Sequence, residues 1–133
     1  MHASCVAVSG RGVLIIGPSG SGKSALALQM MAYGALLVAD DQTEVSVEGS
    51  LMARCAATLT GMIEARGVGV LRCVPLPQAP VVLVVDMAAS EPDRLPPHRK
   101  VTLLGTEVDL VLGRGNDHLA ASVLCYLKGS RQA

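Results

Sequence analysis

Hydrophobic positions along this chain come in short bursts separated by glycine, proline and small polar residues, a punctuation that predicts strands more often than long helices. Residues 5–8 and 12–16 are two short β-branched runs on either side of Ser9-Gly10-Arg11, which predicts a hairpin. Residues 23–33 contain no Gly or Pro and are rich in Ala, Leu and Met, so they predict a helix with Gly34 as its C-cap. A buried strand over 36–39 ends at Asp40-Asp41, and 44–48 alternates with period two before a Gly49-Ser50 turn. Residues 51–61 fit neither template. Residues 62–73 have strand character interrupted by Gly67 and Gly69, which marks a bulge or a close backbone approach. Pro75, Pro77 and Pro80 predict a stiff loop before a fully apolar strand at 81–85. A polar, proline-rich loop over 88–100 leads to strands at 101–104 and 108–112 around a Gly105-Thr106 turn. A last helix over 117–128 is capped by Asn116 or Asp117. Many strands and few helices predict an α/β fold with a mixed sheet.

The 133 residues suffice for one domain and are too few for two domains, so 1–133 reads as a single domain whose last residues, 129–133, fray. With 50% hydrophobic and 17% charged residues the chain can bury enough apolar surface to fold, which excludes disorder. Eleven basic and eleven acidic residues cancel, and two Tyr with no Trp or Phe leave no base-stacking platform, so nucleic acid is not an expected partner. The start does not read as a secretory signal, and no apolar run nears the roughly 20 residues that span a bilayer. Cys5, Cys55, Cys73 and Cys125 lack metal-ligand spacing and are expected as reduced core thiols. The expectation is a cytoplasmic domain without membrane contact.

The strongest chemical signal is Gly17-Pro18-Ser19-Gly20-Ser21-Gly22-Lys23-Ser24, which fits G-x-x-x-x-G-K-[ST] between an apolar strand and a helix. Glycines let backbone N–H groups turn inward around phosphate oxygens, and the helix start presents its positive end. Lys23 supplies a mobile cation and Ser24 a hydroxyl for Mg²⁺. The loop predicts binding of a nucleoside triphosphate or pyrophosphate without naming the acceptor. Residues 81–86, five apolar positions and then Asp86, have the pattern of a Walker B strand and make Asp86 a rival metal ligand.

Three further stretches stand around the loop: Leu37-Val38-Ala39-Asp40-Asp41, Ile63-Glu64-Ala65-Arg66-Gly67-Val68-Gly69-Val70-Leu71, and Asp93-Arg94-Leu95. Together with the glycine-rich loop they resemble the catalytic domain of the HPr kinase/phosphorylase family, in its short form, over residues 2 to about 116. The resemblance implies a bifunctional enzyme. It phosphorylates a serine of the phosphocarrier protein HPr with ATP or pyrophosphate and Mg²⁺, and removes that phosphate by phosphorolysis. It also implies the phosphate-loop variant shared with phosphoenolpyruvate carboxykinases, and homo-oligomers, typically hexamers.

By resemblance Asp41 takes the serine proton and returns it in the reverse direction, and Asp40 helps to position metal or water. Read from the residues alone, two Asp after a strand serve equally as a capped turn. Glu64 is by resemblance the second metal ligand, and Arg66, on the same strand face by its i, i+2 spacing, holds phosphate or fixes Glu64. A surface ion pair is the plain alternative for these two. Gly67 and Gly69 let the strand approach the substrates. His2 falls at the family's active-site histidine, although a terminal residue is a poor place for rigidity. Arg94 matches the loop arginine associated with dephosphorylation; His98, Arg99 and Lys100 make its loop basic. Ala25 stands where many members carry Glu, and the family's P-V-K-x-G-R stretch reads Asp109-Leu110-Val111-Leu112-Gly113-Arg114, so the kinase half is implied more strongly than the phosphorylase half. The rival readings are a phosphate-loop kinase of small molecules or nucleotides and a non-catalytic nucleotide-binding module.

Overall fold

The computed structural model describes residues 1–133, with ten strands, two α-helices and one 3-10 turn. β1 (Ala3–Val8) and β2 (Arg11–Ile16) form the expected hairpin, with Ala3 opposite Ile16 and Val8 opposite Arg11. The glycine-rich loop leads into α1 (Lys23–Ala32), and β3 (Leu36–Ala39) returns antiparallel to β1. β4 (Glu44–Glu48) and β5 (Ser50–Arg54) make a second hairpin. After a 3-10 turn at Ala57–Leu59, β6 (Met62–Ala65) and β7 (Gly69–Arg72) form a separate two-stranded ribbon. β8 (Gln78–Asp86), β9 (Arg99–Leu103), β10 (Thr106–Leu112) and α2 (Leu119–Gly129) complete the order.

The main sheet has eight strands, running β3-β1-β2-β8-β10-β9, with β5 joined to β8 and β4 to β5. β2, β8 and β10 are parallel neighbours at its centre, and the flanking pairs are antiparallel. Central parallel strands are covered on both faces, which explains the unbroken apolar runs of β2 and β8. Alternate side chains divide between two cores. Val13, Ile15, Leu83 and Val85 meet Leu26 and Met30 of α1 and Val123 and Leu127 of α2. Cys5, Leu14, Val38 and Val84 face the other way and are covered by Leu51 and Ala53 of β5.

Several expectations need correction. Pro80 lies inside β8, where residues 78–80 pair with β5 before the strand passes between β2 and β10. The β9–β10 turn sits at Leu104 and Gly105, both with positive φ (49° and 78°), one residue earlier than expected. Helix α2 starts at Leu119 without a side-chain cap, because the Asn116 side chain instead accepts the His118 amide at 3.0 Å in a turn ahead of it. The tail expected to fray begins inside α2, and Arg131 beyond it donates to the carbonyls of Pro96 and Pro97. Only Cys5 is a core thiol; Cys55 and Cys73 are half-buried, Cys125 is exposed, and all four are free. No helix is long and apolar enough to cross a membrane.

Candidate active site

The glycine-rich loop, the start of α1, the end of β3 and the β6–β7 turn enclose a cleft of about 470 Å³. Lys23, the first residue of α1, is only 6% exposed, and no carboxylate pairs with it. Its Nζ donates to the carbonyls of Gly17 at 2.9 Å and Pro18 at 3.1 Å and lies 3.3 Å from His2 Nε2. A buried ammonium that donates to two carbonyls and pairs with no carboxylate lacks the counter-charge such a group needs. The first turn of α1 has neither a side-chain cap nor an acidic residue, so its amides and the positive end of its dipole stay open to an anion. Ser21 Oγ, under the same loop, is buried and unpartnered. The ammonium and the open helix start suit a phosphate; Ser21 does not line the cleft.

The opposite wall is carboxylate. Asp40 Oδ1 accepts the hydroxyls of Ser24 at 2.7 Å and Ser4 at 2.9 Å, and Oδ2 accepts the Glu64 amide at 3.2 Å. Asp41 turns into the left-handed region with φ of 65°, which breaks the alternation of β3 and lets both carboxylates border one cleft. Its side chain is 61% exposed, and its Oδ1 lies 3.3 Å from His2 Nδ1. His2 is fixed by an extension of the β1–β3 ladder. Ala3 donates to the Asp41 carbonyl at 3.1 Å, and Met1 and Thr43 exchange two bonds of 2.9 Å. The imidazole therefore bridges the Lys23 and Asp41 sides of the cleft and reaches Ser19 Oγ at 3.4 Å.

The sequence model of the HPr Serine kinase C-terminal domain matches residues 1–76. The chain belongs to that family. A Clostridium beijerinckii protein named HPr kinase/phosphorylase is 42% identical over 72 residues, covering 53% of this chain and 24% of the relative. One from Aromatoleum aromaticum with the same name is 37% identical over 123 residues, 81% of this chain and 39% of the relative. The chain thus spans well under half the length of these curated relatives. The solved structure of the Hpr(Ser) kinase/phosphatase from Coxiella burnetii superposes with a TM-score of 0.81 at 25% identity, covering 96% of this chain and 87% of that one.

The family match spans every residue of the cleft. Glu64 and Arg66 both line it, but Arg66 is in the β6–β7 turn and not on the strand with Glu64, and the two form no ion pair. Gly67 lies in the β6–β7 turn and Gly69 opens β7, with φ of 85° and 141°; no protein atom lies within 4 Å of where a Cβ would stand on either, so their positive φ is the need that the fold itself places on them. Asp86 does not line the cleft, and its Oδ1 accepts the Ala88 amide at 2.9 Å, which is the work of a turn cap. Arg94 is exposed in the loop after β8, outside the cleft. That loop is anchored by a two-point bond from Arg99 to Glu91 (2.9 and 3.0 Å), which holds the Glu91 carboxyl below the usual carboxylate range. Gly113 is explained by packing, since a Cβ there would sit 2.7 Å from Leu119 and 2.9 Å from Val85. Sequence reasoning missed Ser4 altogether and gave Asp40 a lesser part than its direct bond to Ser24 supports.

Proposed function

We propose that the chain is the catalytic unit of a protein-serine kinase/phosphorylase that phosphorylates HPr with ATP or pyrophosphate and reverses the transfer by phosphorolysis. The observation that carries this reading is the buried Lys23 ammonium without a counter-charge, facing an exposed Asp41 carboxylate across one cleft. The loop 17–24 binds the phosphate chain through backbone amides and Lys23. The mixed sheet around that loop supports the phosphate-loop variant shared with phosphoenolpyruvate carboxykinases.

Ser24, Asp40 and Glu64 offer only oxygen donors on one wall, the set that Mg²⁺ prefers. When bound, Mg²⁺ neutralises charge on the phosphate oxygens. In the kinase direction Asp41 takes the proton of the seryl hydroxyl as its oxygen forms the new bond to phosphorus and the bond to the leaving ADP or phosphate breaks. In reverse, an oxygen of inorganic phosphate attacks the phosphoserine phosphorus, pyrophosphate forms, and Asp41 returns the proton to the serine oxygen. His2 orients the Asp41 carboxylate and faces the transferring group, and Arg66 lies where it can meet phosphate oxygens. Arg94 stands apart from the cleft, and its part in phosphorolysis rests on the resemblance. A single cytoplasmic unit that assembles into homo-oligomers, hexamers by resemblance, completes the reading.

The test is transfer to HPr from ATP and from pyrophosphate, each with Mg²⁺. Lys23→Ala is expected to lose at least about a hundredfold in both, with an unchanged circular dichroism spectrum. Turnover within a few-fold of wild type rejects the site. Transfer to nucleotides but not HPr supports the small-molecule kinase, and binding without transfer supports the non-catalytic module.

A further inference from the structure

Ser4 is a fully buried hydroxyl in an otherwise apolar strand, 0% exposed, and it touches both members of the aspartate pair. The register explains the contact. Cys5 pairs with Ala39 across β1 and β3, so one step further along the ladder Ser4 faces Asp40. Its hydroxyl donates to Asp40 Oδ1 at 2.9 Å, on the same oxygen that accepts Ser24 at 2.7 Å. Its oxygen also accepts the Asp41 backbone amide at 3.2 Å. One side chain is thus donor to the first aspartate and acceptor from the second, and uses both capacities of a hydroxyl.

We infer that Ser4 is a positioning residue, which fixes the Asp40 carboxylate toward Ser24 and holds Asp41 in its left-handed turn so that the Asp41 carboxylate faces the cleft. The first bond restrains Asp40 Oδ1 so that the carboxylate stays beside the Ser24 hydroxyl. The second stabilises a backbone conformation that an L-residue adopts at a steric cost. Loss of the hydroxyl frees the amide at Asp41 and leaves Asp40 with one donor fewer, while every group that touches the phosphate chain stays in place. Ser4 does not line the cleft, and its side-chain hydrogen bonds go to Asp40 and Asp41.

The inference rests on the kinase/phosphorylase reading, and it is tested by arms that separate the two. Ser4→Ala, Ser4→Cys and Ser4→Thr are compared with wild type in the full chain. The first arm is amide hydrogen exchange by NMR: the Asp41 amide should exchange at least about tenfold faster in Ser4→Ala and at the wild-type rate in Ser4→Thr, which keeps the hydroxyl. The second is Mn²⁺ affinity in the presence of pyrophosphate, expected to fall several-fold in Ser4→Ala and to recover in Ser4→Thr. The third is turnover: kcat should fall by about tenfold or more in Ser4→Ala with the KM for pyrophosphate within twofold, a split that general loss of packing does not produce. Ser4→Cys, nearly isosteric but a weak donor and acceptor, should fall between, and it stands in if Ser4→Ala does not fold. Wild-type exchange at Asp41 in Ser4→Ala, or equal losses in Ser4→Ala and Ser4→Thr, overturns the inference. A wild-type chain that transfers no phosphate overturns the reaction and leaves the exchange and Mn²⁺ arms to decide Ser4.

Discussion

At the scale of single residues, two carboxylates are rival candidates to hold the proposed Mg²⁺, and their surroundings separate them. Asp86 ends an apolar strand as a Walker B aspartate does, yet its Oδ1 accepts the Ala88 amide and it stands outside the cleft. Glu64 lines the cleft, is exposed, and forms no ion pair. Glu64→Gln should therefore raise the Mg²⁺ concentration for half-maximal transfer by about tenfold or more, and Asp86→Asn by less than about twofold. A titration of activity against Mg²⁺ decides it, and a larger shift in Asp86→Asn places the metal elsewhere. The same scale marks where sequence reading stops. Lys23, Ser24, Asp40, Asp41 and Glu64 sit in short contiguous motifs and could be named in advance. Ser4 could not, because a serine among valine and alanine looks like filler until the β1–β3 register sets it against residues 40 and 41.

At the scale of elements, β9, β10 and α2 are joined by one carboxylate. Asp109 on β10 accepts Lys100 of β9 at 2.6 Å and the Tyr126 hydroxyl of α2. The Lys100 bond first, and Tyr126 second, hold the Asp109 carboxyl below its usual range. Burial first, and Asp109 second, push the Tyr126 phenol up to about 12 from 10.0. Tyr126 keeps its proton in the folded chain after the unfolded chain has released it, so its contribution is complete below pH 10 and is lost as pH rises toward 12. Cys5, pushed up to about 12 from 9.0 by burial, adds a loss that begins earlier. Asp109 has the opposite sign, and its contribution disappears as pH falls below about 4. Urea midpoints should fall at both ends; Tyr126→Phe should flatten the limb above pH 10, and Asp109→Asn the acid limb. Limbs identical to wild type in these variants remove the network from the account. Among the elements themselves, β4 was legible because Glu44–Glu48 alternates cleanly. β5 was not, because Met52 puts an apolar side chain on the half-buried face and blurs the period. The first part of β8 was hidden by Pro80, which pairing with Met52 of β5 accommodates.

At the scale of the whole molecule, eleven acidic and eleven basic residues leave no net charge near neutral pH, while Val68, Val70 and Val74 stand exposed on or beside the β6–β7 ribbon. Uncharged chains with exposed apolar side chains associate. Solubility should pass through a minimum near pH 7, and Val70→Lys should raise it there at least about twofold; light scattering that is flat with pH, or unmoved by the substitution, rejects the cause. The parallel pairing at the sheet centre has a further bearing. β2 carries the glycine-rich loop at its end, yet its neighbour β8 lies on the order of 70 residues further along the chain, as Gly12 and Val81 do. Such a pairing must close a long loop before it gains any contact. A chain leaving the ribosome therefore exposes its complete glycine-rich motif early, but β2 has no neighbour on that side until residues 81–86 emerge. On the proposed reading, the loop at the end of β2 therefore gains its full support in the sheet only after residues 81–86 have joined it.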